Sequence, residues 1–219
     1  MAVFDLDGTI TRRDTLLPYA VGYLRRAPWR WPGMLLVIPV LPLFALSLLD
    51  HGQLKAAFIK ATLRGCTRAQ LRAWTDVFVA QRVAAEPAQR ARYLFPDALD
   101  AIAAHARDGH RLVLMSASTD LYVPAIARAL GFDEVICTGV RWNGERLQGD
   151  LSTPNRRGEE KVRCFEELRR KHPGASFAYG NAGSDLPHLA LADHPLLVNG
   201  SLAARREAQR VGVPCAVWK

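Results

Sequence analysis

The chain opens on a short apolar run carrying two aspartates one residue apart, Ala2-Val3-Phe4-Asp5-Leu6-Asp7, and the run stops at Asp7-Gly8. An apolar stretch this short, closed by an Asp-Gly turn, reads as a buried parallel strand. Side chains alternate along a strand, so Asp5 and Asp7 fall on one side of it. Two carboxylates that close repel each other unless a cation sits between them. At the carboxyl end of a parallel strand, where such sheets bind ligands, a hard divalent ion such as Mg²⁺ is the natural partner. The opening therefore demands a parallel sheet around it and positive charge at its end.

The second half of the chain supplies that sheet. Arg111–Met115, Glu134–Thr138, Ser176–Tyr179, Pro195–Val198 and Val213–Val217 read as strands. The spacing predicts helices over Asp120–Leu130, Glu159–Lys171, Asp185–Leu191 and Ser201–Arg210 between them. Such alternation gives an α/β fold, a Rossmann-like parallel sheet with helices on both faces. Val140–Leu151 carries Asn143-Gly144 and reads as an antiparallel hairpin beside the sheet. From Thr15 to Arg107 the apolar residues recur at helical spacing, as in Leu54, Phe58, Ile59 and Leu63, or Leu71, Trp74, Val77 and Phe78. An all-helical cap over 12–92 is therefore expected to insert after the first strand, leaving 1–11 and 93–219 as the core.

Charge divides along the same boundary. The net charge is +8, and 12–92 alone carries +9, so the core is close to neutral. Aromatic residues interleave sparsely with this basic stretch, and no nucleic-acid partner is expected. The bland alternative is a solvated basic helical face. Cys66, Cys137, Cys164 and Cys215 form no CxxC pair, so they read as buried, reduced thiols of a cytoplasmic protein. With a strand beginning near residue 3, no leader is expected. The six histidines show no metal-ligand spacing.

Asp5-Leu6-Asp7-Gly8-Thr9 resembles the first motif of the haloacid dehalogenase superfamily. Ser116 after Arg111–Met115, Lys161 at a helix start and Gly180–Asp185 after Ser176–Tyr179 resemble its later motifs in order. The helical cap directly after the first motif is similar to the phosphoserine-phosphatase-like branch. The resemblance implies a Mg²⁺-dependent phosphatase. Asp5 would attack phosphorus to form an aspartyl-phosphate, and Asp7 would act as acid and base. Ser116 and Lys161 would balance phosphoryl charge, with Gly8, Thr9 and Ala117 at the phosphate. Thr9 would also buttress the loop. Asp5, Asp7, Asn181 and Asp185 would hold the metal, and Asn155 and Gly158 would shape the turn delivering Lys161. Asn181 departs from the family's usual Asp, and Ala182 from its usual Ser. Asn keeps an oxygen ligand but removes a charge, so weaker Mg²⁺ binding is expected.

Trp31–Leu49 holds 19 residues without a charge. As one helix it would reach ~28 Å, near a bilayer's thickness. A span would separate Asp5 from Ser116, Lys161 and Asp185, and Pro39 and Pro42 break it. Two readings remain, a buried cap core or a bent hairpin dipping into one leaflet. The second suits the basic cap, since each Lys or Arg near an anionic surface gains ~1 kcal/mol. This region also resembles the family of phosphatidylglycerophosphatase C, which implies a lipid phosphate substrate and peripheral attachment to the inner face of a membrane. The alternatives are a phosphatase or phosphotransferase for a small metabolite without membrane contact, and a non-catalytic anion-binding protein. Arg12 and Arg13, nearest the first motif, are the candidates for headgroup contact, with Arg25 and Arg26 behind them. Oligomeric state is not legible.

Overall fold

The computed structural model describes residues 1–219. After β1 (Ala2–Phe4) the chain is wholly helical: α1 (Leu16–Arg26), a 3₁₀ segment (Pro28–Val37), α2 (Val40–Ala45), α3 (His51–Leu63), α4 (Arg68–Arg82) and α5 (Pro87–Arg90). It returns through α6 (Pro96–Arg107) to β2 (Leu112–Thr119), α7 (Val123–Ala129) and β3 (Glu134–Thr138). The hairpin β4 (Val140–Asn143) and β5 (Arg146–Leu151) follows, then α8 (Glu159–Lys171), β6 (Phe177–Gly180), α9 (Leu186–Leu189), β7 (His194–Val198), α10 (Leu202–Arg210) and β8 (Cys215–Ala216).

Six strands form one sheet in the order β3-β2-β1-β6-β7-β8, every neighbour parallel. The first strand is thus central, with the strand order reversing beside it. That reversal opens a crevice at the carboxyl ends of β1, β2 and β6. The two-residue period of the strands sorts their side chains. Ala2, Phe4, Leu112 and Leu114 join one core with Ala98, Ile102 and Ile126. Met1, Val3, Val113 and Met115 join the other with Phe165, Leu168, Leu189 and Ala208. Helices therefore cover both faces, as the alternation implied.

The inserted helices form a cap over the crevice. Their entry and exit strands run side by side, with Arg12 N–H donating to Tyr93 O at 2.8 Å and Phe95 N–H to Ile10 O at 3.0 Å. Capping boxes Asp50/Gln53 and Thr67/Gln70 start α3 and α4. Tyr19 stacks obliquely on Tyr122 of the core at 4.7 Å and meets Phe78 edge-on at 5.2 Å, fastening cap to core.

Several sequence expectations need correction. β1 ends at Phe4 rather than Asp7, because residues 6–11 close a tight loop in which Ile10 and Thr11 N–H both donate to Leu6 O. β2 runs through Ser116 to Thr119, with a register irregularity against β3 after Met115. The helix expected from Asp120 starts at Val123, and Asp185–Leu191 resolves into a 3₁₀ turn and the single turn of α9. The stretch 213–217 contributes only Cys215–Ala216. Asn143 pairs with Arg146 in the ladder, so the turn residues are Gly144 and Glu145, with positive φ at Gly144. The hairpin forms its own small sheet and bonds to the cap, Gly65 N–H to Leu147 O and Leu147 N–H to Cys66 O. All four thiols are free, but only Cys66 and Cys164 are buried; Cys137 is half-buried and Cys215 exposed.

Of the two readings of Trp31–Leu49, the buried cap core is excluded: Val37 is its one buried residue. Pro32, Pro39 and Pro42 divide it into a 3₁₀ run and the six-residue α2. Turns this short cannot present a continuous stripe for packing. No helix of the protein is long and apolar enough to cross a membrane.

Candidate active site

The crevice holds a cavity of 480 Å³ lined almost entirely by polar side chains. Asp5 lies just past β1, its N–H still donating to Tyr179 O at 2.9 Å. Its carboxylate accepts from Lys161 Nζ at 2.7 Å and from Thr9 Oγ1 at 3.2 Å. Lys161 sits in the first turn of α8 on the stripe Lys161, Cys164, Phe165 and Leu168, which faces the core. A lysine on an apolar stripe must find anions, and this one has two. It also donates to Asp185 Oδ1 at 2.8 Å. Gly158, with φ of +57°, makes the turn that starts α8.

Asp185 accepts main-chain N–H bonds from Asn181 (3.2 Å) and Ala182 (3.0 Å) in the tight turn after β6. Asp7 has a different set of partners. Thr15 donates to it through both N–H and hydroxyl, at 2.8 and 2.7 Å, and Ser118 Oγ donates to its other oxygen. Ser116 is buried at the cavity wall, its Oγ accepting from Ser118 N–H at 3.0 Å. Ala117 also lines the cavity.

The electrostatics separate the carboxylates. Burial pushes the Asp5 carboxyl up; Lys161 opposes this and Asp185 adds to it. Burial lifts Asp7 to about 7, with Asp14 adding to the rise. At Asp185 burial acts upward too, but the Lys161 ammonium outweighs it and holds the group at about 2. Lys161 feels burial downward, yet Asp185 and Asp5 keep it protonated well above its ordinary range. Three carboxyl groups, Asp5, Asp7 and Asp185, thus share the cavity wall with one buried ammonium, that of Lys161.

That imbalance suits a cation. No three carboxylate, imidazole or thiol groups converge as a ready-made ligand cluster. Asp5, Asp185 and Asn181 nevertheless all line the cavity and carry side-chain oxygens. A hard ion that retains several waters, such as Mg²⁺, fits such a set.

Two expected phosphate contacts are otherwise engaged. The Gly8 N–H donates to Thr11 O at 2.8 Å. Thr9 is fully buried and turned to Asp5, so it buttresses rather than faces the cavity. Gly8 has φ of +83°, and a Cβ there would lie 2.0 Å from Asn181 Nδ2. Arg12 and Arg13 reach the cavity wall, although Arg12 Nε also donates to Ala91 O and its guanidinium covers Phe95. Arg25 and Arg26 do not line it, and Arg26 covers Trp74.

Sequence reasoning missed Ser118, Thr15 and the cap's contribution. Ser118 lies two residues from Ser116 on one strand, a spacing that was available. Lys55 of α3 crosses the crevice to donate to Ala117 O and Asn155 Oδ1. Burial draws it down to about 8 against the upward pull of Asp7 and Asp14. His51 and Arg157 also line the cavity, His51 one helical turn before Lys55. The i, i+4 pair was legible; its direction was not.

The family model for haloacid dehalogenase-like hydrolases matches residues 2–190. Protein CicA of Caulobacter vibrioides is 32% identical over 199 residues, covering 88% of this chain and 83% of that protein. A Bordetella pertussis protein described as of unknown function superposes with a TM-score of 0.77 at 24% identity, covering 98% and 96% of the two chains. A probable phosphoserine phosphatase from Vibrio cholerae, unliganded, superposes at 0.70 with 15% identity, covering 98% of this chain and 60% of that one.

Proposed function

The chain belongs to the haloacid dehalogenase-like hydrolase family, and we propose that it hydrolyses phosphate monoesters through an aspartyl-phosphate on Asp5. The observation that carries this is the Asp5 carboxylate fixed between Lys161 and Thr9 at the cavity wall, with Asp7 held separately beside it. Asp5 attacks phosphorus as the bond to the leaving oxygen breaks, and Asp7 gives that oxygen its proton. Water then attacks the same phosphorus, Asp7 takes the water's proton, and inorganic phosphate and free Asp5 result. Thr15 and Ser118 aim Asp7 for both transfers. Ser116 Oγ accepts from Ser118 N–H, leaving its own proton for a phosphoryl oxygen, with the Ala117 N–H alongside. Lys161 sets Asp5 and neutralises charge as it develops.

Mg²⁺, the general requirement of this family, would be held by Asp5, Asp185, Asn181 and the Asp7 carbonyl and would supply positive charge beside the phosphoryl oxygens. We assign 1–11 and 93–219 to the catalytic core and 12–92 to the cap, on the pairing of Ile10–Arg12 with Tyr93–Phe95. The polar lining supports a small phosphorylated substrate or headgroup. Arg12, Arg13, His51, Lys55 and Arg157 at the rim support a second anionic group near the scissile phosphate. The four free thiols support a reducing, cytoplasmic compartment.

The test is phosphate release from a panel of phosphorylated metabolites and lipid phosphates across a Mg²⁺ titration, with Asp5→Asn as the blank. Turnover that needs Mg²⁺ and falls at least ~10³-fold in Asp5→Asn is expected. Equal rates in the two proteins would refute the reading.

A further inference from the structure

Of the 14 exposed large hydrophobic side chains, nine lie between Trp29 and Leu48. Trp29 is 74% exposed, Leu36 67% and Leu46 70%. The backbone beneath them is firmly seated. Gly33 lies so close to α3 that a Cβ would meet Ala61 O at 2.0 Å. Arg30 donates to Arg64 O at 2.9 Å, and Val37 is buried. The segment is therefore an apolar ledge held outward, with its apolar side chains uncovered.

Its surroundings define what it can meet. No Asp or Glu occurs between Asp14 and Asp50, while Arg25, Arg26 and Arg30 precede the ledge and Lys55 and Arg64 follow it; Lys60 is paired with Asp150. The ledge also adjoins the active site. Phe44 of α2 meets the His51 ring edge-on at 5.0 Å, and His51 lines the catalytic cavity. A second copy docked through the same face would bring two net-basic rims together, which electrostatic complementarity opposes. An anionic lipid surface matches both features, apolar depth for the ledge and negative charge for its rim.

We propose that the Pro28–Leu49 ledge docks this protein on an anionic bilayer leaflet, lying in the interface without crossing it, so that the cavity beside His51 lies close to the headgroup layer. The docking depends on the ledge and its basic rim alone, independently of the hydrolytic reading.

The experiment is flotation of the full chain with vesicles of phosphatidylcholine, or of phosphatidylcholine mixed with phosphatidylglycerol, at low and high salt. Leu35→Glu/Leu36→Glu/Leu46→Glu provides the comparison. All three side chains are exposed, so the fold should be retained by circular dichroism, and hydrolysis of a soluble phosphate ester should be unchanged. Wild type should float with the anionic vesicles, bind less as salt rises, and shift its tryptophan emission to the blue. The variant should lose at least about tenfold in bound fraction. Failure of wild type to float, or equal flotation of the variant, overturns the proposal. So does lipid-free self-association that the variant abolishes, which would give the ledge to a second copy. Loss of ester hydrolysis in both proteins would strike the catalytic reading and leave docking intact.

Discussion

Replacing Lys161 by Met removes a cation that is 2% exposed and serves two carboxylates, at 2.7 and 2.8 Å. Breaking a buried ion pair by deleting one partner costs about 3–5 kcal/mol, because the remaining charge stays desolvated. Here Asp5 and Asp185 both lose their partner, so in EDTA at pH 8 the upper half of that range is expected. The cost should depend on pH in a definite direction. Lys161 is what restrains the rise of the Asp5 carboxyl, so its removal lifts that group further. The folded variant then binds a proton more tightly than the unfolded chain, and its stability grows as pH falls through the raised value. At about 1.4 kcal/mol per pH unit, the deficit should shrink by up to roughly 2–3 kcal/mol between pH 8 and pH 6. Adding Asp5→Asn to the variant should recover much of the loss at pH 8. Urea unfolding of wild type, Lys161→Met and the double variant at both pH values measures each figure. A deficit below ~1 kcal/mol at pH 8, or one identical at pH 6, would refute the account of Lys161 as the sole buried counter-charge.

Asn181→Asp restores a third carboxylate, so the Mg²⁺ concentration for half-maximal activity should fall about three- to tenfold while metal-free stability drops. Gly8→Ala combines a left-handed φ of +83° with a Cβ 2.0 Å from Asn181 Nδ2; a loss of about 2 kcal/mol by thermal melting, with a fall in kcat, is expected. His188 is buried, its Nδ1 lacks a partner, and burial followed by Lys161 draws it down to about 3. Folded protein thus binds fewer protons than unfolded as pH falls from ~6.5 towards 3, and stability is lost there by up to roughly 4 kcal/mol. His188→Leu should flatten that acid limb of the urea-midpoint profile.

The sheet was legible because its signals are local: Glu134–Thr138 and Glu159–Lys171 have the expected limits. Lys161 could be anticipated from its place on an apolar helical stripe, and Asp5 and Asp7 from their spacing. What escaped depends on long-range geometry. Nothing near Lys55 in sequence says that its side chain crosses to Ala117 and Asn155. Nothing in Gly8 says that its N–H is consumed by Thr11. Hydropathy alone made Trp31–Leu49 equally consistent with core and with surface. The deciding factor was the spacing of Pro32, Pro39 and Pro42, which breaks the segment into turns too short to bury one face.

The central position of β1 also bears on how the chain is made. β1 is made before both of its partners, residues 112–114 on one side and 177–179 on the other. At about 5–20 residues per second, its second neighbour emerges roughly 9–35 s after it. The helices of 16–90 are complete long before then and rely more on local contacts, so they can organise first. Until residues 112–114 emerge, Val3 and Phe4 have no sheet to enter, and after that they have a partner on one side only. A chain halted before Phe177 would carry Asp5 on a strand with one open edge, the kind of surface that aggregation and chaperones both recognise.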